Sequence, residues 1–166
     1  MADSVAAMLI LALLLVVITL MARATIAGGT MMDLASKAAF DRAEDRARTN
    51  ISVTSVTASG TSVTVKLKNT GATSVADFDK MDFIISYVSS NATVITRLTH
   101  TAGTLAADQW KRTSISPDTL EPNTWNESET LTLDALLGNT LDSASTGTVA
   151  VVTPHGVDAL GFFTVP

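Results

Sequence analysis

The chain has 166 residues, a formal net charge of −5 and no cysteine, so disulfides, thiolate metal sites and cysteine nucleophiles are excluded. An acidic balance with only 5% aromatic residues argues against nucleic acid, whose phosphates require a basic patch. The charge is unevenly divided: basic and acidic residues balance up to Asn50, and the whole excess of acid lies from Ile51 onward.

From Ser4 to Ala22 the chain carries no charge, with Asp3 before the run and Arg23 closing it. As a helix this stretch is about 28 Å long, enough to cross a hydrocarbon core. It is too long for a cleavable secretory signal, and no Lys or Arg precedes Arg23. Taken as a single-pass anchor, it has its basic flank on the domain side, which favours a cytoplasmic domain. That orientation conflicts with the sequons and the acidic, Thr-rich composition downstream. A mature form, from which a basic leader has been removed, resolves the conflict. A helix apolar on every side must be buried in lipid or among other helices. Val5, Met8, Leu9, Leu11, Leu14, Val16, Ile18, Met21 and Ile26 supply that surface.

Residues Met31 to Thr49 are nearly all good helix formers. Lys37 with Asp33 and Asp41, and Arg48 with Glu44, place opposite charges four apart, while Arg42 and Arg46 are a like pair. One helix is therefore expected from the N-terminus to about Thr49, on the order of 70 Å long. Gly28-Gly29 interrupts it, each glycine costing about 1 kcal/mol relative to alanine. The pair reads as a tolerated weak point or as a hinge.

After Asn50 the period changes to two. Alternation predicts strands over 51–56, 62–68, 81–88, 93–98, 109–115, 128–133, 146–152 and 160–165, separated mostly by Gly, Asn, Ser and Pro turn signals. About eight short strands fit an antiparallel, Ig-like β-sandwich. The expected fold is α+β, with residues 1–50 the N-terminal helix and 51–166 the sandwich.

Catalytic chemistry is not visible. Gly28-Gly29-Thr30 and Gly103-Thr104 lack the lysine and spacing of a phosphate loop. His100 and His155 have no metal-binding spacing, and His155 in Thr153-Pro154-His155-Gly156 reads as a turn residue rather than a base. Asp77, Asp79 and Asp82 have the oxygen-ligand character of a calcium site but not EF-hand spacing, and read better as solvated acids. The expectation is no enzyme activity, no cofactor and no metal. Three sequons, at Asn50, Asn91 and Asn126, fall at expected strand ends or loops and are candidate N-glycosylation sites.

An apolar N-terminal helix running into a charged half and then a β-sandwich resembles the type IV pilin superfamily, and within it the archaellins, the archaeal flagellin subunits. Typical bacterial pilins carry glutamate at the fifth mature position, where this chain has Val5. The stretch Val63-Thr64-Val65-Lys66-Leu67-Lys68-Asn69-Thr70-Gly71-Ala72-Thr73-Ser74 resembles the strand and NTG turn of archaellin and accessory archaellum domains. So does the loop through Ile115-Ser116-Pro117-Asp118, Glu121-Pro122 and Trp125-Asn126-Glu127-Ser128-Glu129. The resemblance implies the major subunit of an extracellular motility filament, a homopolymer held by its N-terminal helix. It also implies a precursor cut by a prepilin-type peptidase, storage in the cytoplasmic membrane before assembly, and an archaellum-type motor and assembly platform as partners. Competing readings are a subunit of an adhesion type IV pilus, an accessory stator-like protein whose sandwich binds the cell envelope, and a small anchored enzyme.

Overall fold

A computed structural model describes the backbone of residues 2–166 and the side chains of residues 8–26 and 28–166. The chain forms two compact units, Met1–Ala43 and Glu44–Pro166. The first is wholly helical over its described residues and belongs to α1 (Ala2–Arg48). This helix is unbroken at Gly28 and Gly29, and a Cβ added at either would meet nothing within 4 Å. Internal packing therefore does not require their missing side chains.

The second unit starts with the last turn of α1 and continues as eight strands. They are β1 (Ile51–Ser59), β2 (Ser62–Asn69), β3 (Asp82–Ser89), β4 (Ala92–His100), β5 (Gln109–Ser116), β6 (Thr130–Leu136), β7 (Thr146–Val152) and β8 (Asp158–Thr164). Each lies where alternation predicts one, and β2, β3, β6, β7 and β8 bury one face in a regular inside–outside rhythm. The spatial order is β1-β2-β6-β5-β4-β3-β7-β8. The halves β1-β2-β6-β5 and β4-β3-β7-β8 make a sandwich-like fold.

The antiparallel expectation holds for every neighbouring pair but one. β4 and β5 run parallel over Thr99 with Gln109 and His100 with Trp110, the only strand pairing between the two halves among the described residues. Thr99 N–H donates to Asp108 O at 3.0 Å and Thr101 N–H to Trp110 O at 2.9 Å. The segment between β4 and β5 carries the chain from one half to the other, so the two strands meet briefly and then diverge.

At the opposite margin β1 and β8 lie against each other. A Cβ on Gly161 would stand 2.7 Å from a Val53 methyl and 2.8 Å from a Val56 methyl, so glycine there lets the valines close in. Between the halves Trp110 is fully buried and stacks on Phe83 with ring centres 6.1 Å apart. Leu67, Leu131, Leu133 and Val149 complete the centre of the core. The β3–β4 hairpin turns through Ser90 and Asn91, both at positive φ. Their N–H groups donate to the Asp142 carboxylate at 2.9 and 2.8 Å, which ties the tip to the following loop region.

Candidate functional site

Two features stand out: an apolar helical surface exposed over its described residues, and hydrogen bonds that clamp the end of that helix. Met8, Leu9, Leu11, Leu14, Val16, Ile18, Met21 and Ile26 are all at least 54% exposed. Val5 lies outside the described side chains. The helix is long and apolar enough to cross a membrane. Such a surface is not tolerable in water, so it implies lipid or other helices around it.

The clamp is built from the two loop stretches that the sequence singles out, which the fold brings together. Asn69, at the end of β2, is fully buried. Its side-chain amide donates to Thr73 O at 2.9 Å and Trp125 O at 3.3 Å, and its side-chain oxygen accepts from Gly71 N–H at 3.0 Å. This Asx-type turn aims three consecutive N–H groups at the helix end. Thr70 and Gly71 donate to Asn50 O at 2.8 and 2.9 Å, and Ala72 donates to Arg48 O at 2.9 Å. The last carbonyls of a helix have no partner within it, so the Ala72 bond fills such a vacancy at Arg48, while the other two hold the chain just past the helix end. Thr49 adds a bond from its hydroxyl to Asp45 O at 2.6 Å.

Glycine at position 71 is dictated by this approach. A Cβ there would lie 2.3 Å from Asn50 N and 2.4 Å from Arg48 O, both backbone atoms.

Behind the turn, Trp125 is fully buried, pairs with Val75 through two backbone bonds, and donates its indole N–H to Glu129 O at 2.9 Å. Glu129 is itself buried, and its carboxylate accepts Asn126 N–H at 2.8 Å. Ser74 Oγ donates to the Asn126 side-chain oxygen at 2.9 Å. The arrangement bonds the end of the helix to the sandwich within the second unit. Glu129 was not singled out from sequence as a buried residue. Yet Glu129, Leu131 and Leu133 share one parity on a strand whose leucines point inward, and that signal places its side chain inside.

The other sequence-level candidates separate. Asn50 and Asn91 are exposed, Asn91 at the hairpin tip. Asn126 is buried, and its amide nitrogen, the atom a glycan would use, donates to Thr124 O at 3.1 Å. Asp77 accepts from Lys80 Nζ at 2.5 Å. That hydrogen bond and the Asp77 charge hold the Lys80 pKa above its ordinary value. Asp82 is taken by Arg97, whose Nε donates to it at 2.9 Å. Among the described residues no three acids or histidines gather as a metal site. His100 packs on Trp110 with ring centres 4.7 Å apart. His155 Nδ1 stands 4.0 Å from an Asp45 carboxylate oxygen on the last turn of α1.

No family model and no curated protein matches the chain. Solved structures do. The archaeal flagellum of Methanospirillum hungatei strain JF1 matches with a TM-score of 0.61 at 14% identity, over 96% of this chain and 91% of that one. The archaellum periplasmic stator protein FlaG from Sulfolobus acidocaldarius matches with a TM-score of 0.53 at 19% identity, over 69% of this chain and 99% of that one. A chain of the archaellum periplasmic stator protein complex FlaF and FlaG from the same organism matches with a TM-score of 0.53 at 18% identity, over 68% of this chain and 87% of that one. At such identities the likeness is one of fold.

Proposed function

We propose that this chain is the structural subunit of an archaellum-type motility filament, polymerising through its N-terminal helix. The observation that carries the reading is the uncharged apolar surface from Met8 to Ala22, exposed over its described residues. Packed among identical helices, such a surface would bury apolar area worth on the order of tens of kcal/mol before entropy and extraction costs. The flagellum match, which covers 96% of this chain and so takes in most of both units, supports this reading.

In this reading the subunit waits in the cytoplasmic membrane after a prepilin-type peptidase has acted, and an assembly platform then transfers it to the polymer. The helices form the filament centre. The acidic sandwiches face water, where net charge is best solvated. The polymer is passive, and rotation comes from a separate motor. Asn50 and Asn91 are the open glycan acceptors of the folded subunit.

The second reading, a stator-like envelope-binding protein, is favoured by the FlaG match, which takes in nearly all of that chain. Filaments sheared from cells separate the two, since a major subunit dominates the sheared material and an accessory protein does not. Leu14→Asp extends the test. A carboxylate among apolar helices costs several kcal/mol, so the variant should be absent from sheared filaments. Mass spectrometry of the wild-type material should find glycan at Asn50 or Asn91 and none at Asn126. Normal incorporation of Leu14→Asp would overturn helix-driven assembly.

A further inference from the structure

Outside α1, five large apolar side chains of the sandwich stand exposed: Ile84, Ile95, Leu120, Leu160 and Phe162. Four share one face. Strand register puts Ile95 beside Ser86, Thr148 and Phe162 in one row, and Ile84 beside Ala150 and Leu160 in the next. On this outer face of the β4-β3-β7-β8 half, Ile95 is 71%, Phe162 75%, Leu160 60% and Ile84 36% exposed. Its charges are Arg97, which stands beside Ile84 at the β4 end of the second row and is paired with Asp82, and Asp158 in the row beyond. The opposite half differs: its outward positions carry Lys66, Lys68, Lys111 and Asp134 among threonines. An open groove of about 700 Å³ lies at the Phe162 end of this face, where Val56, Val88 and Phe162 line it together with Ser86, Thr93 and Thr148.

The fifth residue, Leu120, is 73% exposed and sits on the loop between β5 and β6. That loop is pinned on both sides of it. Asn123 N–H donates to the Asp118 carboxylate at 3.0 Å, Arg112 donates to Asn123 O at 2.9 Å, and Thr124 N–H donates to Glu121 O at 3.0 Å. A held loop thus presents a single apolar tip.

We propose that Leu120 of one copy of this chain seats in the groove beside Phe162 of the next copy, forming a second contact between neighbouring sandwiches. The proposal rests on the polymer reading above. Area decides the occupant. The face offers a few hundred Å² of apolar surface, below the roughly 800 Å² per partner that a stable free-standing complex buries. Its occupant must therefore be delivered by another attachment, and α1 delivers a second copy at high effective concentration. Tip and groove lie on different parts of the same chain, so the contact is heterologous and propagates along a filament instead of closing a dimer. The acids flanking the tip, Asp118 and Glu121, meet no carboxylate among the residues lining the groove.

The test uses filaments sheared from cells carrying full-length chain, with subunit release on heating as the readout. Leu120→Ser and Phe162→Ser each remove one side of a burial worth about a tenfold change in equilibrium, so each should shorten the dissociation half-life about tenfold. The double variant should release no faster than the worse single one, because partners in one contact are not additive. Phe162→Leu, which keeps the face apolar, should stay close to wild type and serves as the control for folding. Unchanged half-lives in the single variants, or additive losses in the double, would overturn the proposal. Serine variants that keep wild-type filament stability but lose attachment to the cell envelope would also overturn it, assigning the face to an envelope partner. Wild-type cells whose filaments lack this chain would instead overturn the polymer reading itself.

Discussion

Gly71 shows how one missing side chain sets the relation between a helix end and a sheet. Its Cα hydrogen faces the backbone of Arg48, Thr49 and Asn50, so any larger residue must push the turn off the helix. The N–H groups of Thr70, Gly71 and Ala72 would then lose their carbonyl partners. Gly71→Ala is expected to destabilise the sandwich unit by about 2–3 kcal/mol, from overpacking and broken bonds together. Denaturant unfolding of the unit measures it. An effect within about 0.5 kcal/mol, the scale of a neutral surface change, would mean the clamp contributes little. The sequence made Asn69-Thr70-Gly71 legible as a turn, since asparagine and glycine have turn chemistry of their own. What the turn holds was not legible, because the helix end lies some twenty residues upstream and only the folded chain brings it within reach. The burial of Asn126 was hidden for a related reason. Its sequon is a local pattern, whereas Ser74, Thr124 and Glu129, which enclose it in bonds, come from separate parts of the chain.

At the scale of elements, the helix could be read from its uncharged run and helix-forming composition, and the strands from Thr/Val alternation between turn signals. The uncharged run and the alternating Thr/Val stretches report which faces meet water. The parallel rungs between β4 and β5 could not be read this way. They are two residue pairs produced where the chain changes layers, and alternation carries no information about which strand lies beside which. The glycine pair is a different case. Gly28 and Gly29 sit in an unbroken helix with open space around both, so together they cost about 2 kcal/mol of helix stability with no return inside the isolated chain. Their use, in our reading, lies in assembly: a bend during transfer from membrane to filament, or close approach of a neighbouring helix. Replacing both with alanine should leave membrane levels of the subunit unchanged and lower the yield of filaments severalfold, as read by quantitative blotting of the two fractions. Equal yields would make the pair only a tolerated weak point.

For the molecule as a whole, the question is where the helix ends and the sandwich begins as a folding unit. The change of sequence period falls at Ile51, but the compact unit begins at Glu44, a turn of helix earlier. The difference has a physical cause. Asp45 O accepts from the Thr73 hydroxyl and Arg48 O from Ala72 N–H, and just past the helix Asn50 O accepts from Thr70 and Gly71, so the helix end is bonded to the NTG turn. A chain cut at Ile51 leaves the NTG turn without its acceptors and uncovers the ground that the helix end protects. A chain cut at Glu44 keeps all of them. Both fragments lack the apolar run and should be soluble monomers. The fragment 44–166 should melt several degrees higher than 51–166, since about 1 kcal/mol per lost hydrogen bond shifts the midpoint of a domain this size by a few degrees. Calorimetry of the two fragments, with light scattering to fix their mass, tests both statements. Equal melting temperatures would detach the last helical turn from the sandwich. Filaments formed by either fragment would remove the apolar helix from its place as the driver of assembly.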